Sequence, residues 1–394
     1  MKFKLLSLLD TSKIERLLSV SMNDQVANLL RRICLKELAT LSPHSYKNLR
    51  ILRDFIWEKL NTGHWKEVSR VWRDLYSVTI VLKIVCILKA WNDEGDIDVL
   101  KDVVRLCDMG LLMGTPICDD ICSLWASEIH KLISNIPNKR PKISPVNPIH
   151  NLSDYLNPII SKIPKVDILN LETFIEKYKN LEAPVIIKGL VNDWPAMDKW
   201  SIQYIKLVAG YRTVPIEIGC RYTDGNWTQK LMTINNFIDE FILNDSATEK
   251  GYLAQHNLLD QVSSLREDIN TPEYCFSGEE EEDINFWFGP KGTVSPLHTD
   301  PKHNILTQVV GYKYVRLYHQ SQTNYLYPYS EEDLMSNTSQ IDIENPNLNE
   351  FPKFVQASGL EGILEPGDAL YIPPKMWHYV KSLSLSFSVS FWFQ

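Results

Sequence analysis

The sequence predicts an α+β protein in which an all-α helical domain precedes a jelly roll of two β-sheets. Apolar residues recur at helical spacing up to about residue 134. A proline-rich stretch then interrupts this spacing, and beyond it short apolar runs alternate with a period of two between Gly and Pro turns. At 394 residues the chain is long enough for both domains.

Residues 1–135 are predicted to form the helical domain. One set of apolar residues at helical spacing is Leu29, Leu30, Ile33, Leu38 and Leu41. Proline is scarce in this region, and Pro43 and Pro116 both stand where a helix would begin or end. We therefore predict five to seven packed helices. The region is a candidate for binding protein partners.

Residues 136–164 are predicted to form a Pro-rich linker. Its first part, IPNKRPKISPVNP, contains four prolines and three basic residues and has little apolar content. Lys139, Arg140 and Lys142 form a short basic cluster that is compatible with a nuclear import signal or with an ordinary solvated linker. The solvated linker is the preferred interpretation, because short basic tracts are common.

Residues 165–394 are predicted to form the jelly-roll domain. Two short helices are expected at 171–180 and 234–243. Many short strands in a domain of this size indicate a double-stranded β-helix of the cupin kind. The predicted strands are 184–187, 214–218, 284–288, 304–309, 313–317, 362–364, 369–372, 377–381 and 384–393.

Charge and cysteine usage limit the partners and the compartment. The net charge is −8, but the first 150 residues carry 22 basic and 17 acidic side chains, whereas the remaining residues carry 19 and 32. The acidic second part disfavours nucleic acid and suits a protein or peptide with a basic segment, unless it is only a solvated surface.

The seven cysteines form no CxxC motif, which indicates reduced thiols in the nucleus or the cytoplasm. Because no run of eighteen or more uncharged apolar residues exists, we expect no membrane span. Asp10 interrupts the apolar start of the chain and no small-residue cleavage site follows, so we expect no signal peptide.

The segment Ser295-Pro-Leu-His-Thr-Asp300 carries a candidate metal site. In an extended chain, side chains two residues apart point to the same side, so His298 and Asp300 can converge on one ion. His378 follows 78 residues after Asp300, just beyond Pro373-Pro374 at the end of an apolar run. Two His and one carboxylate leave open positions on an octahedral ion, which is the ligand set of Fe(II) oxygenases. By itself an HxD pair is more often a hydrogen-bonded turn than a metal site.

A positively charged side chain is expected beside this metal site. Lys313 lies on the strand that follows the HxD segment and is placed to bind the distal carboxylate of 2-oxoglutarate; its alternative is an exposed strand lysine. His303 is an alternative metal ligand at a looser spacing. Zinc is the rival metal, although the chain has neither HExxH nor CxxC.

Around these residues the sequence resembles the jumonji-C family of Fe(II)- and 2-oxoglutarate-dependent oxygenases. The resemblance covers residues 165–394. It rests on GYLAQHNLLDQ (251–261), WFGPKGTVSPLHTDPKHN (287–304), GYKYVRLY (311–318), ENPNLNEFPKF (344–354) and SFSVSFWF (386–393). One departure is Thr299, where the family typically has Gln between the two ligands.

The resemblance implies a role for each of ten residues. His298, Asp300 and His378 match the catalytic iron ligands. The residues that match the 2-oxoglutarate site are Tyr252, Ser295, Asn304 and Lys313, and those that match the pocket for a substrate arginine are Glu217, Gln255 and Trp287. A carboxylate binds a guanidinium through charge-assisted hydrogen bonds, and an indole stacks on its plane.

The resemblance also implies the reaction, with Fe(II), 2-oxoglutarate and O2 as metal, cosubstrate and oxidant. An acidic pocket favours hydroxylation of an arginine side chain in a protein, with release of succinate and CO2. Demethylation of N-methyl-lysine in histones by the same site is the first alternative, and a peptidase acting on histone tails is the second, without independent support from a nucleophile motif. A third is a catalytically silent cupin-type scaffold. The resemblance therefore implies that the protein is a dioxygenase that acts as a chromatin regulator.

Overall fold

The computed structural model describes residues 2–19, 25–40, 45–63, 67–92, 96–134, 149, 151–219, 221–225, 227–244, 246–278 and 280–394. It divides into two compact units. The first contains Met1–Arg140 and Lys206–Thr213, and the second contains Pro141–Ile205 and Val214–Gln394. The first part of the predicted linker, residues 136–148, lies outside the described residues. Ile163, near its predicted end, is buried in the second unit.

The first unit is all-helical, as predicted. Its helices within the described residues are α1 (Lys2–Ser7), α2 (Thr11–Ser19), α3 (Gln25–Thr40), α4 (Ser45–Leu60), α5 (Arg70–Ala90), α6 (Ile97–Met113) and α7 (Ile121–Ser134). The longest, α5, is apolar around most of its circumference and is buried along most of its length, as expected of a helix at the centre of a bundle. Asp96 caps α6 by accepting a hydrogen bond from the Val99 amide.

The second unit is built on fourteen short strands within the described residues. They are β1 (Ser161–Lys162), β2 (Lys165–Val166), β3 (Val185–Ile187), β4 (Thr213–Ile218), β5 (Thr228–Thr233), β6 (Gly251–His256), β7 (Asp283–Gly289), β8 (Val294–His298), β9 (His303–Val310), β10 (Lys313–Tyr318), β11 (Gly359–Leu364), β12 (Ala369–Ile372), β13 (Trp377–Ser382) and β14 (Ser386–Phe393).

Short helices connect these strands. They are α8 (Leu171–Phe174, continued by a π-helical turn at Ile175–Lys179), α9 (Pro195–Lys199), α10 (Ile202–Ala209), α11 (Ile234–Phe237, continued at Ile238–Ile242), α12 (Leu258–Gln261), α13 (Ser263–Arg266) and α14 (Thr323–Leu326), with 3-10 turns at Leu152–Tyr155, Glu273–Ser277, Gln320–Gln322 and Pro352–Gln356.

The strands form two sheets. The smaller sheet has the order β1-β11-β10-β13-β8, and the larger has the order β2-β3-β12-β9-β14-β7-β6-β4-β5. One apolar cluster joins side chains from both, with Leu306 and Leu370 from the larger sheet and Val315 and Leu364 from the smaller. The sheets therefore pack face to face, and the predicted class, a helical domain followed by a cupin-like jelly roll, is confirmed.

Five strands lie outside the predicted set, namely β1, β2, β5, β6 and β8, and two of them, β5 and β6, do so for a clear physical reason. β5 presents an exposed, polar sequence, TQKLMT, which lacks the apolar alternation of a half-buried strand. β6 is interrupted by a register shift between Leu253 and His256, and this bulge disturbs the period of two. Both strands lie at one end of the larger sheet.

No helix in the described part of the chain is both long and apolar enough to cross a membrane. Of the seven cysteines, six lie in the described residues, and all six are free thiols: Cys34, Cys86, Cys107, Cys118, Cys122 and Cys275.

Candidate active site

Three side chains converge where the strands of the smaller sheet end. His298 is the last residue of β8, and Asp300 follows it in the next turn. β13 runs antiparallel to β8 and places His378 directly opposite His298. Side chains directly opposite each other on antiparallel strands point to the same face. The sheet register therefore brings the predicted ligand from the distant end of the sequence to the HxD pair.

The distances suit a single ion. The His378 Nε2 atom is 3.4 Å from Asp300 Oδ2, and His298 Nε2 is 3.9 Å from Asp300 Oδ1. The two imidazole centroids are 4.1 Å apart. One ligand atom from each of the three residues lies within 4.8 Å of the others, and this is the only such group of His, Cys, Asp or Glu among the described residues.

Main-chain carbonyls orient both imidazoles. The Nδ1 atom of His298 lies 2.7 Å from the carbonyl oxygen of Pro296, and that of His378 lies 3.0 Å from the carbonyl oxygen of Met376. In the neutral imidazoles each Nδ1–H can donate to its carbonyl, which fixes the tautomer and leaves the Nε2 lone pair available to a metal ion. Both Nε2 atoms face Asp300, as a metal site requires.

Electrostatics favour binding of a cation here. Burial, followed by the neighbouring His378, lowers the pKa of His298 to about 4, so its imidazole is neutral at pH 7. Burial opposes ionisation of Asp300, but the hydrogen bond and charge of His378 hold the pKa of this carboxyl below its usual value. Burial would lower the pKa of His378, yet its hydrogen bond to Asp300 raises it. An ionised carboxylate beside two imidazoles therefore attracts a proton or a metal ion.

A neighbouring segment holds the HxD turn in place. The Thr299 amide donates to the Asn337 carbonyl at 2.9 Å, and the Ser339 amide donates to the Leu297 carbonyl at 2.8 Å. From the other side, the Lys375 amide donates to the main-chain oxygen of Asp300 at 2.7 Å. The main chain on both sides of His298 is thus fixed before any ion binds.

Lys313, the first residue of β10, is a buried cation in the same cavity. It is 2 % exposed, and its Nζ donates to the Tyr252 hydroxyl at 3.2 Å and lies 5.7 Å from the ring centre of Trp287. No carboxylate among the described residues forms a salt bridge with it. Burial lowers the pKa of Lys313 to about 7. A buried ammonium without a counter-ion is costly, and an anionic ligand would remove that cost.

The cavity contains every predicted cofactor residue. Its empty space is about 350 Å³, and its lining is Tyr252, Trp287, Ser295, His298, Asp300, Asn304, Leu306, Lys313, Ile372, His378, Val380 and Ser390. The Asn304 Oδ1 atom is buried without a hydrogen-bond partner in the described part of the chain. Gly289 lets Tyr252 approach, because a Cβ there would lie 2.7 Å from the Tyr252 ring.

These residues fit Fe(II) and 2-oxoglutarate. Three ligand atoms from two His and one Asp leave positions open on an octahedral ion. Within the described residues the Lys313 ammonium has no counter-ion, and it suits one end of a dicarboxylate. The Asn304 Oδ1 atom, which has no hydrogen-bond partner in the same part of the chain, lines the same cavity. Buried polar groups normally have partners, so these two indicate a ligand.

The predicted substrate residues divide into two groups. Trp287 lines the cofactor cavity, where its indole N–H donates to the Ser390 hydroxyl at 2.9 Å. Glu217 is paired in register with Tyr252 and therefore lies on the face that Tyr252 presents to the cavity. Gln255 is exposed, has a φ of 45° and lies within the β6 bulge, and it is not part of the cavity lining.

The surroundings of Glu217 are apolar and aromatic. Burial raises the pKa of its carboxyl, and the Trp227 indole beside it partly offsets this effect, although the indole N–H makes no hydrogen bond of normal geometry within the described residues. The ring of Tyr222 packs edge-on against His298 at 6.5 Å, and its hydroxyl lies 3.2 Å from Thr338 Oγ1. No lysine or arginine in the described residues forms a salt bridge with Glu217.

Sequence reasoning missed Tyr222, Trp227 and Ser390. Ser390 had a signal, since it alternates with large residues in SFSVSFWF and so belongs to one face of the strand. Tyr222 and Trp227 lie in a connecting segment without periodicity, so no pattern in the sequence indicates that they lie near the site. The alternative ligand His303 lies outside the metal group, because its Nδ1 is bonded to the Tyr371 hydroxyl at 2.8 Å.

The fold and the site together define a cupin-like domain with a His-Asp-His ligand set, the class to which jumonji-C oxygenases belong. A model of the cupin-like domain matches residues 171–394, and a model described as "KDM8-like, N-terminal ARM repeats" matches residues 42–139.

Relatives match most of the chain. The lysine-specific demethylase 8 of Danio rerio is 45% identical over 360 residues, which cover 89% of this chain and 88% of that protein. The protein of the same name from Xenopus tropicalis is 39% identical over 87% of each chain. Lysine-specific demethylase JMJ30 of Arabidopsis thaliana is 41% identical, over 86% of this chain and 84% of its own. The chain belongs to the jumonji-C family with KDM8-like N-terminal ARM repeats, whose members depend on Fe(II) and 2-oxoglutarate.

Proposed function

We propose that this 2-oxoglutarate-dependent oxygenase hydroxylates a carbon of an arginine side chain in a protein substrate. The observation that carries the proposal is Glu217, a largely buried carboxylate without a cationic partner among the described residues, on the face that Tyr252 presents to the cavity. Burying a carboxylate without a partner is unfavourable, so such a group indicates an incoming cation.

His298, Asp300 and His378 would hold Fe(II) through two Nε2 atoms and one carboxylate oxygen. Bound iron, with 2-oxoglutarate and O2, supplies the oxidant that inserts oxygen into a C–H bond and releases succinate and CO2. Lys313 and Tyr252 would bind the distal carboxylate of 2-oxoglutarate. Asn304 and Ser295 supply polar groups along the cavity wall. The chain therefore provides binding, orientation and a cavity enclosed by sheet strands.

At the substrate end, Glu217 would bind the guanidinium through charge-assisted hydrogen bonds. The aromatic rings of Trp227 and Tyr222 lie near that carboxylate and suit the flat apolar faces of a guanidinium. A lysine ammonium would gain less from this arrangement, because it is a compact point charge without a planar face.

We propose a protein or peptide with a basic segment as the partner. The acidic charge of the second part of the chain supports a basic substrate, and ARM repeats in the first unit support binding of further proteins. The nucleus or the cytoplasm remains the proposed location, on the basis of cysteine usage alone.

Demethylation of N-methyl-lysine is the second candidate, supported by the names of the relatives from Danio rerio, Xenopus tropicalis and Arabidopsis thaliana. Oxygen insertion at an N-methyl carbon would give an unstable product that loses formaldehyde. The metal and 2-oxoglutarate residues would act in the same way in both reactions. The two candidates differ in the group that enters beside Glu217.

The deciding experiment is tandem mass spectrometry of peptides that contain arginine or methyl-lysine, after anaerobic loading with Fe(II), with succinate measured in parallel. His378→Ala is the control that removes a ligand. We expect arginine to gain one oxygen atom. Loss of methyl from lysine without that gain would establish the demethylase, and chain cleavage would establish the peptidase. Metal binding without succinate in the presence of every peptide would favour the scaffold.

A further inference from the structure

Residues 206–213 belong to the helical unit although they lie far from it in the sequence. They contain the end of α10 and the first residue of β4. The Leu207 carbonyl oxygen lies 2.9 Å from His130 Nε2, and the Tyr211 ring contacts His130 and lies under the Lys101 ammonium, 5.6 Å away. This segment is therefore packed into α6 and α7.

The centre of the attachment is Asp108 on α6. Arg212 Nε donates to Asp108 Oδ1 at 2.8 Å, and Arg212 Nη2 lies 2.7 Å from the same oxygen. The other oxygen, Oδ2, accepts the main-chain N–H of Thr213 at 2.6 Å. Both charged side chains are fully buried, at 1 % and 0 % exposed. One carboxylate thus fixes a side chain and the adjoining main chain.

Attachment alone does not require a buried ion pair. Apolar side chains of similar volume hold buried segments equally well or better, because taking two charges out of water is unfavourable. A carboxylate with two directional contacts adds a defined position and orientation. In this chain the atom that it fixes is the amide at the start of β4.

β4 carries the proposed substrate-binding carboxylate. Glu217 is four residues after Thr213, about 13 Å along an extended strand, and on the same side of it. The register with β6 covers only Glu217 and Ile218. Strand pairing with β6 therefore holds only the end of β4, whereas the hydrogen bond to Asp108 holds its first residue.

We propose that Asp108 is a positioning residue for the arginine substrate: it fixes the start of β4 and thereby the place of Glu217. This rests on the proposed function. The residues of the metal and 2-oxoglutarate cavity lie on β6 to β10, β12, β13 and β14 and, for Asp300, in the turn after β8, and they include none on β4. Loss of the anchor should therefore affect peptide binding and spare 2-oxoglutarate binding.

The test uses the full chain, loaded with Fe(II), and three variants. Asp108→Asn removes the charge. The double change Asp108→Leu with Arg212→Met restores an apolar, well-packed pair and removes the anchor, so it tests the proposal even when the single variant fails to fold. Leu106→Ala is the control, because Leu106 is buried on the same helix about 200° around its axis from Asp108.

Two readouts are compared. In both anchor variants we expect the KM for an arginine peptide to rise about tenfold and the KM for the cosubstrate 2-oxoglutarate to change less than about twofold. Hydrogen–deuterium exchange of residues 213–218 should accelerate. Leu106→Ala should lower Tm and change neither the peptide KM nor exchange in β4. Combining Asp108→Asn with Glu217→Gln should raise the peptide KM no further than Glu217→Gln alone, because both changes remove the same interaction between Glu217 and the guanidinium.

Each contrary result overturns the proposal. A normal peptide KM in the folded double variant would make Asp108 a purely structural residue, and so would additive effects with Glu217→Gln. When the wild-type enzyme leaves arginine unmodified, the proposed function fails separately. Exchange in β4 then still decides whether Asp108 holds this strand, and unchanged exchange would refute it.

Discussion

The two sides of the candidate site differ in how they are built. On the cofactor side, Lys313 and Asn304 lie on inner strands and are almost fully buried, and within the described residues Lys313 has no counter-ion and Asn304 Oδ1 no hydrogen-bond donor. On the substrate side, Glu217 and Gln255 lie on β4 and β6, toward the end of the larger sheet, and Gln255 is exposed at a bulge. The proposed function would therefore place specificity for the cosubstrate in the core of the domain and specificity for the substrate at the margin of the larger sheet.

The largest effect is expected from His378→Ala. Loss of one of three ligands should abolish tight Fe(II) binding and reduce turnover well beyond the roughly 10–100-fold cost of losing an outer-shell partner. Metal analysis after gel filtration and succinate release measure this. His319→Ala, at an exposed histidine, is the control and should behave as wild type. Retained iron and turnover in His378→Ala would place the metal elsewhere.

Lys313→Met should separate binding from stability. We expect the KM for the cosubstrate 2-oxoglutarate to rise on the order of 100-fold or more, since its carboxylate would lose its buried counter-charge. The cofactor-free protein should become more stable at pH 7, by about 1–4 kcal/mol, because an unpaired buried ammonium is removed. Calorimetry and kinetics measure both. Lys291→Met, at an exposed lysine, should change neither. A destabilised Lys313→Met protein would mean that the lysine has a hidden partner.

The affinity for 2-oxoglutarate should depend on pH through Lys313. Its pKa of about 7 means that the free protein loses this charge as pH rises above 7, so the affinity should fall by up to about tenfold per pH unit. The stability of the cofactor-free protein should change with pH in the opposite direction. Between pH 7 and its ordinary value of 10.5 the unfolded chain holds more protons, so this group adds stability as pH rises. Anaerobic titrations from pH 6 to 9 measure the affinity; a flat profile would contradict the assignment.

Glu217→Gln should affect only the substrate side. The peptide KM should rise about 10- to 100-fold, while the KM for the cosubstrate 2-oxoglutarate stays within about twofold, because the charge that pairs with the guanidinium is lost. Steady-state kinetics with each substrate varied in turn gives both values. Equal effects on the two constants would mean that the two sides are not independent.

Gln255→Ala should have the smallest effect. An exposed side chain outside the cavity lining contributes within about 0.5 kcal/mol, or roughly twofold in peptide KM. The same peptide kinetics measure it. A tenfold loss would show that the bulge carries Gln255 into contact with the bound substrate.

Local periodicity allowed one part of the structure to be predicted. The period of two placed His298 and Asp300 together, and the fold class followed from the change of period. The alternation of small and large residues in SFSVSFWF also indicates that Ser390 shares a face with the other serines of this strand. The ligand and pocket assignments stay predictions until a loaded protein is measured.

The remainder depends on contacts that no local pattern encodes. Gln255 lies in the β6 bulge, where the register with β7 shifts, and a period of two in the sequence cannot show such a shift. Tyr222 reaches His298 from a connecting segment without periodicity. The attachment of residues 206–213 to α6 includes a buried ion pair between one acid and one arginine 104 positions apart. Charged residues in a single sequence are normally expected at the surface, so neither suggested burial.

The hydrogen bonds from both histidines to main-chain oxygens have an evolutionary consequence. The Pro296 and Met376 carbonyls that orient the imidazoles exist whatever side chains those positions carry. Mutational drift in the neighbouring side chains can therefore proceed without changing the tautomers. A lineage can remodel the sheet margin to accept new substrates while it inherits an unchanged metal centre.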